Sequence, residues 1–196
     1  SRHKTAISRI DFSRPIQLAL DSGLIRQEWT IFDYGCGRGD DIKGLEAKGF
    51  KCSGWDPFHM PDGKKQKAHI INLGYVINVI EDYRERTKIL IDAWNLTQKA
   101  LIISARLKHE SKNQELASFK DGFVTKRGTF QKYYDQNELR EWIDNELGVS
   151  SVAASTGIFI AFRDEELRQN YLVSLHRRKL IAPSISKSEV LYETNK

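Results

Sequence analysis

The chain has 196 residues, 40% of them hydrophobic and 29% charged, the make-up of one globular domain with a sizeable core rather than of a disordered chain. Its longest apolar runs, such as residues 100–104, are only strand length, no secretory signal opens it, and two cysteines, Cys36 and Cys52, are too few for a disulfide framework or a four-cysteine zinc site. Reduced thiols and the lack of a membrane span point to the cytoplasm, and the net charge of +5 (pI near 9.1) is a basic bias compatible with a nucleic-acid partner without requiring one.

Residues 1–28 read as a basic arm and helix packing on the core, with Arg2, Lys4, Arg9 and Arg14. Residues 29–34 (WTIFDY) read as a buried strand running into a glycine turn, and Asp40 is placed to cap a helix with Ile42 and Leu45 inward, ending at Gly49. Residues 50–55 are a second short strand closed by Asp56-Pro57, residues 69–73 a third and residues 101–105 a fourth. Between the last two, a helix over 82–98 carries Ile89, Leu90, Ala93, Trp94 and Thr97 on one stripe. Asp135-Gln136-Asn137-Glu138 has capping-box form and opens a helix with Leu139, Trp142, Ile143 and Leu147 inward, stopped by Gly148. Residues 149–154 and 158–163 form a closing hairpin. Residues 165–178 form an amphipathic helix on Leu167, Tyr171 and Leu175, and residues 182–196 are a Ser-rich, loose tail.

Strands alternating with helical patterns predict a Rossmann-like α/β domain over 29–164, its sheet mostly parallel and closed by an antiparallel hairpin, with residues 165–196 as helix and tail. A serine at position 1 and a single methionine, Met60, give the expectation that the chain is a piece of a longer product.

The chemistry concentrates in Phe32-Asp33-Tyr34-Gly35-Cys36-Gly37-Arg38-Gly39-Asp40-Asp41, which follows a strand and opens a helix, the context a nucleotide-type cofactor needs. Asp40 stands where a dinucleotide fingerprint needs its third glycine. Asp40-Asp41 would also repel a pyrophosphate from the helix N-terminus, and no Gly-Lys-Ser/Thr follows to make a P-loop. S-adenosylmethionine (SAM) has no phosphate but carries a sulfonium, an ammonium and a carboxylate. Asp33 is placed for the ammonium, the glycines for close backbone approach, and Asp56 for the ribose hydroxyls. The plainer reading makes Asp33 a turn cap and Asp56-Pro57 the start of a loop.

These residues resemble a family. D-Y-G-C-G-R-G-D looks like motif I of class I SAM-dependent methyltransferases, and G-W-D-P like the acidic motif that follows it. R-H-K-T-A-I-S-R at the start, F-D-Y-G-C-G-R-G-D-D, N-L-G-Y-V-I-N-V-I-E-D, S-A-R-L and T-F-Q-K-Y-Y are similar to the DNA phosphorothioation-associated methyltransferases, over residues 2–165. The resemblance implies a class I methyltransferase sheet, SAM as cofactor, and a place beside the proteins of a DNA-modification defence system. The cofactor-facing set is then Asp33, Tyr34, Gly35, Cys36, Gly37, Gly39, Asp40, Asp56, Pro57, Asn72 and Leu73. The chain departs from the pattern after its second strand. Only residues 57–68 precede the next strand, where a usual methyltransferase fits a further helix and strand, so residues 56–61 are left as the adenine wall.

Asn72, Tyr75 and Asn78 follow the third strand, at the end of the sheet where acceptors bind, and are the candidate catalytic residues. Asn72-Leu73-Gly74-Tyr75 has the outline of the Asn-Pro-Pro-Tyr motif, in which the Asn accepts from an exocyclic amine and the aromatic stacks on a flipped base, but lacks both prolines; in small-molecule enzymes the aromatic would only pack. Neither Cys36 nor Cys52 is placed to act as a C5-cytosine nucleophile. Five histidines show no metal-ligand spacing, so no metal is expected. Between residues 99 and 132 eight Lys/Arg face three Asp/Glu. There Arg106, Lys126, Arg127, Phe130, Lys132 and Tyr133 interleave cations with aromatics as a nucleic-acid platform does, or as a strand with its aromatics buried does. The functional expectation is SAM-dependent methyl transfer to nucleic acid, DNA first. The alternatives are a small-molecule or RNA methyltransferase, and a catalytically degenerate SAM-binding or DNA-binding scaffold.

Overall fold

The computed structural model describes residues 11–181. The basic residues Arg2, Lys4 and Arg9 and the tail 182–196 lie outside the described residues. Chain order is α1 (Arg14–Asp21), β1 (Thr30–Tyr34), α2 (Asp40–Ala47), β2 (Lys51–Trp55), β3 (Ala68–Gly74), a 3-10 turn (Ile77–Val79), α3 (Tyr83–Leu96), β4 (Thr97–Ser104), β5 (Leu116–Phe119), β6 (Gly122–Thr125), β7 (Phe130–Gln131), α4 (Gln136–Leu147), β8 (Val152–Ser155), β9 (Ile158–Phe162) and α5 (Glu165–Ile181).

Six strands form one sheet in the order β2-β1-β3-β4-β9-β8. β2, β1, β3 and β4 pair in parallel, and β9 returns antiparallel between β4 and β8. The central strands are covered on both faces, which is why they read as continuous apolar runs. Side-chain alternation sends Tyr34, Ile71, Leu73 and Ile103 to one face, under Leu90, Ala93 and Trp94 of α3 and Leu139 and Ile143 of α4. Ile31, Ile70, Ile102 and Ile160 go to the other, under Ile16 and Ala19 of α1, Leu45 of α2, and Leu167 and Tyr171 of α5. Among the described residues no helix is long and apolar enough to cross a membrane.

The α/β sheet, its closing hairpin and the shortening after β2 match expectation; local details differ. Asp40 does not cap α2: Gly39, at φ 78°, takes the N-cap position, and Asp40 and Asp41 fill the first turn, where the helix dipole suits them. Thr97 is not on the helix stripe but opens β4, opposite Ala68, its hydroxyl donating to the Ala93 carbonyl at 2.8 Å. At α4 one arm of the capping box is formed, the Asp135 amide donating to Glu138 Oε2 at 3.2 Å. The unforeseen element is a three-stranded antiparallel sheet, β5-β6-β7, between β4 and α4.

Candidate functional site

The carboxyl ends of β1, β2 and β3 lie side by side: Asp33 is level with Gly54 on one neighbour and Asn72 on the other. The loop after β1 turns on glycines. Gly35 sits at φ 80°, and a Cβ there would lie 2.4 Å from Val76 Cγ2. Gly37 sits at φ 53°, where a Cβ would meet nothing within 4 Å, so its backbone borders open space. The Gly35 and Cys36 amides donate to the Trp55 carbonyl at 2.8 and 3.0 Å, tying the loop to the end of β2.

Asp33 is 5% exposed and accepts one side-chain hydrogen bond, from Asn72 Nδ2 at 3.0 Å. Burial, reinforced by the nearby Asp41 and Asp56 carboxylates, pushes its pKa up to about 7 against the lowering pull of that bond. Among the described residues no cation pairs with it. A buried carboxylate without a counterion is a place for a cation. Asp56 is built differently. Its Oδ1 accepts from the Phe58 and His59 amides, both at 2.9 Å, and its Oδ2 from the Gly37 amide at 3.1 Å. Burial pushes its pKa up, but these three donors outweigh it and hold the group below the usual carboxylate range. A carboxylate has about four acceptor positions, so one remains for a ligand hydroxyl rather than the two expected.

Beside these groups lies a mostly apolar cleft of about 440 Å³, lined by Tyr34, Gly35, Trp55, Asp56, Pro57, Phe58, Gly74, Tyr75, Val76, Val79, Ile80, Glu85 and Ile89. That is within the range of small-molecule sites. Of the residues expected to face the cofactor, Tyr34, Gly35, Asp56 and Pro57 line it. Asp33 and Asn72 lie buried at the strand ends, and Gly37 and Gly39 shape the loop. Cys36 packs its Sγ 3.4 Å from Met60 Sδ, and burial, with Asp33 and Asp56 nearby, pushes its thiol up to about 11. Asp40 is an exposed first-turn residue of α2. Leu73 is a correction: it is fully buried under α3 and α4 and belongs to the core.

The acceptor side is also rearranged. Tyr75 lines the cleft at φ 58°, a conformation a non-glycine residue holds only when its surroundings impose it; its amide donates to the Ser104 carbonyl at 2.9 Å, and the Arg106 guanidinium lies 4.6 Å from its ring centroid. Asn72, 2% exposed, turns its amide inward to Asp33. Asn78 does not face an acceptor. The 3-10 turn buries it to 2% exposure, and its carbonyl accepts the Lys132 amide at 2.7 Å.

The cation–aromatic stretch is corrected as well. Phe130, Lys132 and Tyr133 are buried, with Lys132 2.8 Å from Glu138 and the Tyr133 ring against Phe123, so neither ring offers a stacking face. Arg106 pairs with Glu110 at 2.9 Å and Lys126 with Glu115 at 2.6 Å; Arg127 is exposed. The aromatics are buried, as in a strand with its rings inward, but Lys132 is buried with them rather than turned outward. Sequence reasoning missed Val76, Val79, Ile80, Glu85 and Ile89 as cleft wall. The only hint was Ile89, at the edge of the α3 stripe, where a core residue faces a void.

No protein-family model matches the chain, and no curated protein matches it. Solved structures do. The 1,6-didemethyltoxoflavin-N1-methyltransferase of Burkholderia thailandensis, solved with 1,6-didemethyltoxoflavin and S-adenosylhomocysteine, is 12% identical over 76% of this chain and 75% of that one, with a TM-score of 0.55. The sugar N-methyltransferase KedS8 from a Streptoalloteichus species is 10% identical over 76% and 84%, at 0.54, and the CcbJ methyltransferase of Streptomyces caelestis 11% identical over 76% and 88%, at 0.53. At such identities the shared property is the fold, a Rossmann-like class I methyltransferase sheet.

Proposed function

We propose that the chain binds S-adenosylmethionine in the cleft between β1, β2 and β3 and transfers its methyl group to a nitrogen acceptor. The observation that carries this is Asp33, a buried carboxylate with no counterion beside an open glycine backbone: it fits an ammonium and repels a phosphate. The cofactor supplies an electrophilic methyl on a sulfonium, so the chain's task is to orient and desolvate. Asp33 holds the ammonium, Gly35 and Gly37 admit the amino-acid backbone, and the free acceptor position of Asp56 takes a ribose hydroxyl. Pro57, Val76 and Ile80 line the space left for a flat base. Glu85, on the cleft wall, makes no hydrogen bond or ion pair through its carboxylate among the described residues and is free to accept the proton a methylated nitrogen sheds.

For the acceptor we favour nucleic acid, DNA first, acting with the proteins of a DNA-modification system. The basic balance and the resemblance of residues 2–165 support this reading. A small-molecule amine is the second reading, favoured by the apolar cleft and by neighbours named as a 1,6-didemethyltoxoflavin-N1-methyltransferase and a sugar N-methyltransferase. Incubating the chain with methyl-labelled SAM and, separately, single-stranded DNA, duplex DNA, RNA and small amines decides between them. Label in DNA is the expected result. Label in amines alone overturns the nucleic-acid acceptor, and cofactor binding with no label in any acceptor makes the chain a scaffold.

A further inference from the structure

The connection that replaces the missing helix and strand carries a row of free cations. Residues 57–67 run back from the tip of β2 to β3, and three contacts fix their course along β2. Asp56 and Met60 bridge antiparallel; Gly63 presses on the Gly54 carbonyl, where a Cβ would lie 2.3 Å away; and Gln66 Nε2 donates to Ser53 Oγ at 2.8 Å. β2 is the outermost strand, so this route places Lys64, Lys65 and Lys67 beside the sheet edge, together with Lys51 at the first position of β2. All four are exposed, and none forms an ion pair among the described residues. Asp62 is the only acid in that run. Most cations of the inserted sheet, by contrast, are occupied, Lys126 by Glu115, Lys132 by Glu138 and Lys120 by Glu81, and Arg127 is the exception.

The row ends at the cleft. The Lys65 ammonium lies 3.9 Å from the Trp55 ring centroid and 4.9 Å from that of Tyr34, both wall residues, and Phe58 stands at the same mouth with 88% of its surface exposed. Lysines alone would be an ordinary guard against edge-to-edge strand pairing. Such a guard needs no bare aromatic ring at a cofactor cleft, whereas cations leading to an exposed ring match a strand of phosphates with unstacked bases.

We propose that this edge, from Lys51 past Lys64 and Lys67 to Phe58, binds single-stranded nucleic acid and leads it to the cleft, its phosphates on the lysines and a base on Phe58. This rests on the nucleic-acid reading of the acceptor. The test measures binding of a fluorescent mixed-sequence 12-nucleotide DNA strand across a salt series. Lys51→Glu/Lys64→Glu/Lys67→Glu lowers affinity more than tenfold and makes the salt slope shallower by about 2, the loss of three single-strand phosphate contacts. Phe58→Ala weakens binding roughly tenfold at unchanged slope, since stacking releases no counterions. Lys126→Glu/Arg127→Glu changes neither quantity. The melting temperature and SAM binding heat of the triple variant report that it is folded. An unchanged slope in that variant, or tighter binding of duplex than of single strand, overturns the assignment while leaving the nucleic-acid acceptor standing. No strand binding by a chain that still binds SAM overturns both.

Discussion

Asp33→Asn abolishes SAM binding and at the same time stabilises the cofactor-free chain at pH 8. Both effects come from one buried carboxylate. Its native pKa, about 7, stands above the ordinary value of 3.8 because burial penalises the charged form. The native state therefore holds this proton more tightly than the unfolded chain, and Asp33 costs stability progressively as pH rises from about 4 to about 7. Asparagine keeps an oxygen for the Asn72 amide and removes the charge. We expect a gain on the order of 2 kcal/mol at pH 8 and none at pH 4, read from urea unfolding at the two pH values. With the SAM ammonium on an ionised Asp33, as proposed, affinity is expected to rise with pH through about 7, and binding below that to release a proton. A variant as stable as wild type at pH 8, or one that still binds SAM, removes Asp33 from the ammonium site.

Asp121→Ala destabilises the chain by about 2 kcal/mol or more, and adding Arg86→Met restores most of the loss. The Arg86 side chain is 2% exposed, and its Nη2 donates to both Asp121 oxygens at 2.7 Å; Nη1 reaches the Tyr134 hydroxyl at 3.4 Å, and Nε has no partner among the described residues. Removing Asp121 strands a buried guanidinium, whereas removing both charges leaves a slot lined by Tyr83, Tyr134 and Trp142 in which Lys132 keeps its pairing with Glu138. Because Asp121 itself is 42% exposed, the cost falls below that of a fully buried pair. This pair fastens the turn of β5 and β6 to α3, beside the 77–80 segment that walls the cleft, so the single variant also lowers SAM affinity. Thermal melts and calorimetry of the two variants check both halves; additive losses in the double variant contradict the account.

What the sequence conveyed follows from where physical constraints act. β1, β3 and β4 are covered on both faces and are written as apolar runs, and the glycine loop is written in residues that tolerate positive φ. Much of the site is set by contacts distant in sequence. The turn in which Asp56 Oδ1 accepts from Phe58 and His59 is local, but nothing local says that its other oxygen accepts from Gly37, or that the 3-10 turn buries Asn78 under the Lys132 amide. β5 and β6 are four residues each, with little burial to impose a period, so the inserted sheet left only its aromatic stripe as a trace, and that stripe is ambiguous between core and platform. The unpaired lysines of 64–67 were visible as letters. Only the course of that segment along β2 sets them beside a cleft.

Whether the cleft binds its cofactor is read by calorimetric titration of the chain with S-adenosylmethionine, with Asp56→Ala as control and the pH set at 6 in two buffers of different ionisation heat. We expect micromolar binding whose heat depends on the buffer, because Asp33 gives up its proton, and at least a tenfold loss in Asp56→Ala, where the Gly37, Phe58 and His59 amides lose their acceptor. No heat with either protein would contradict it: the cleft would then be a class I methyltransferase fold without its cofactor.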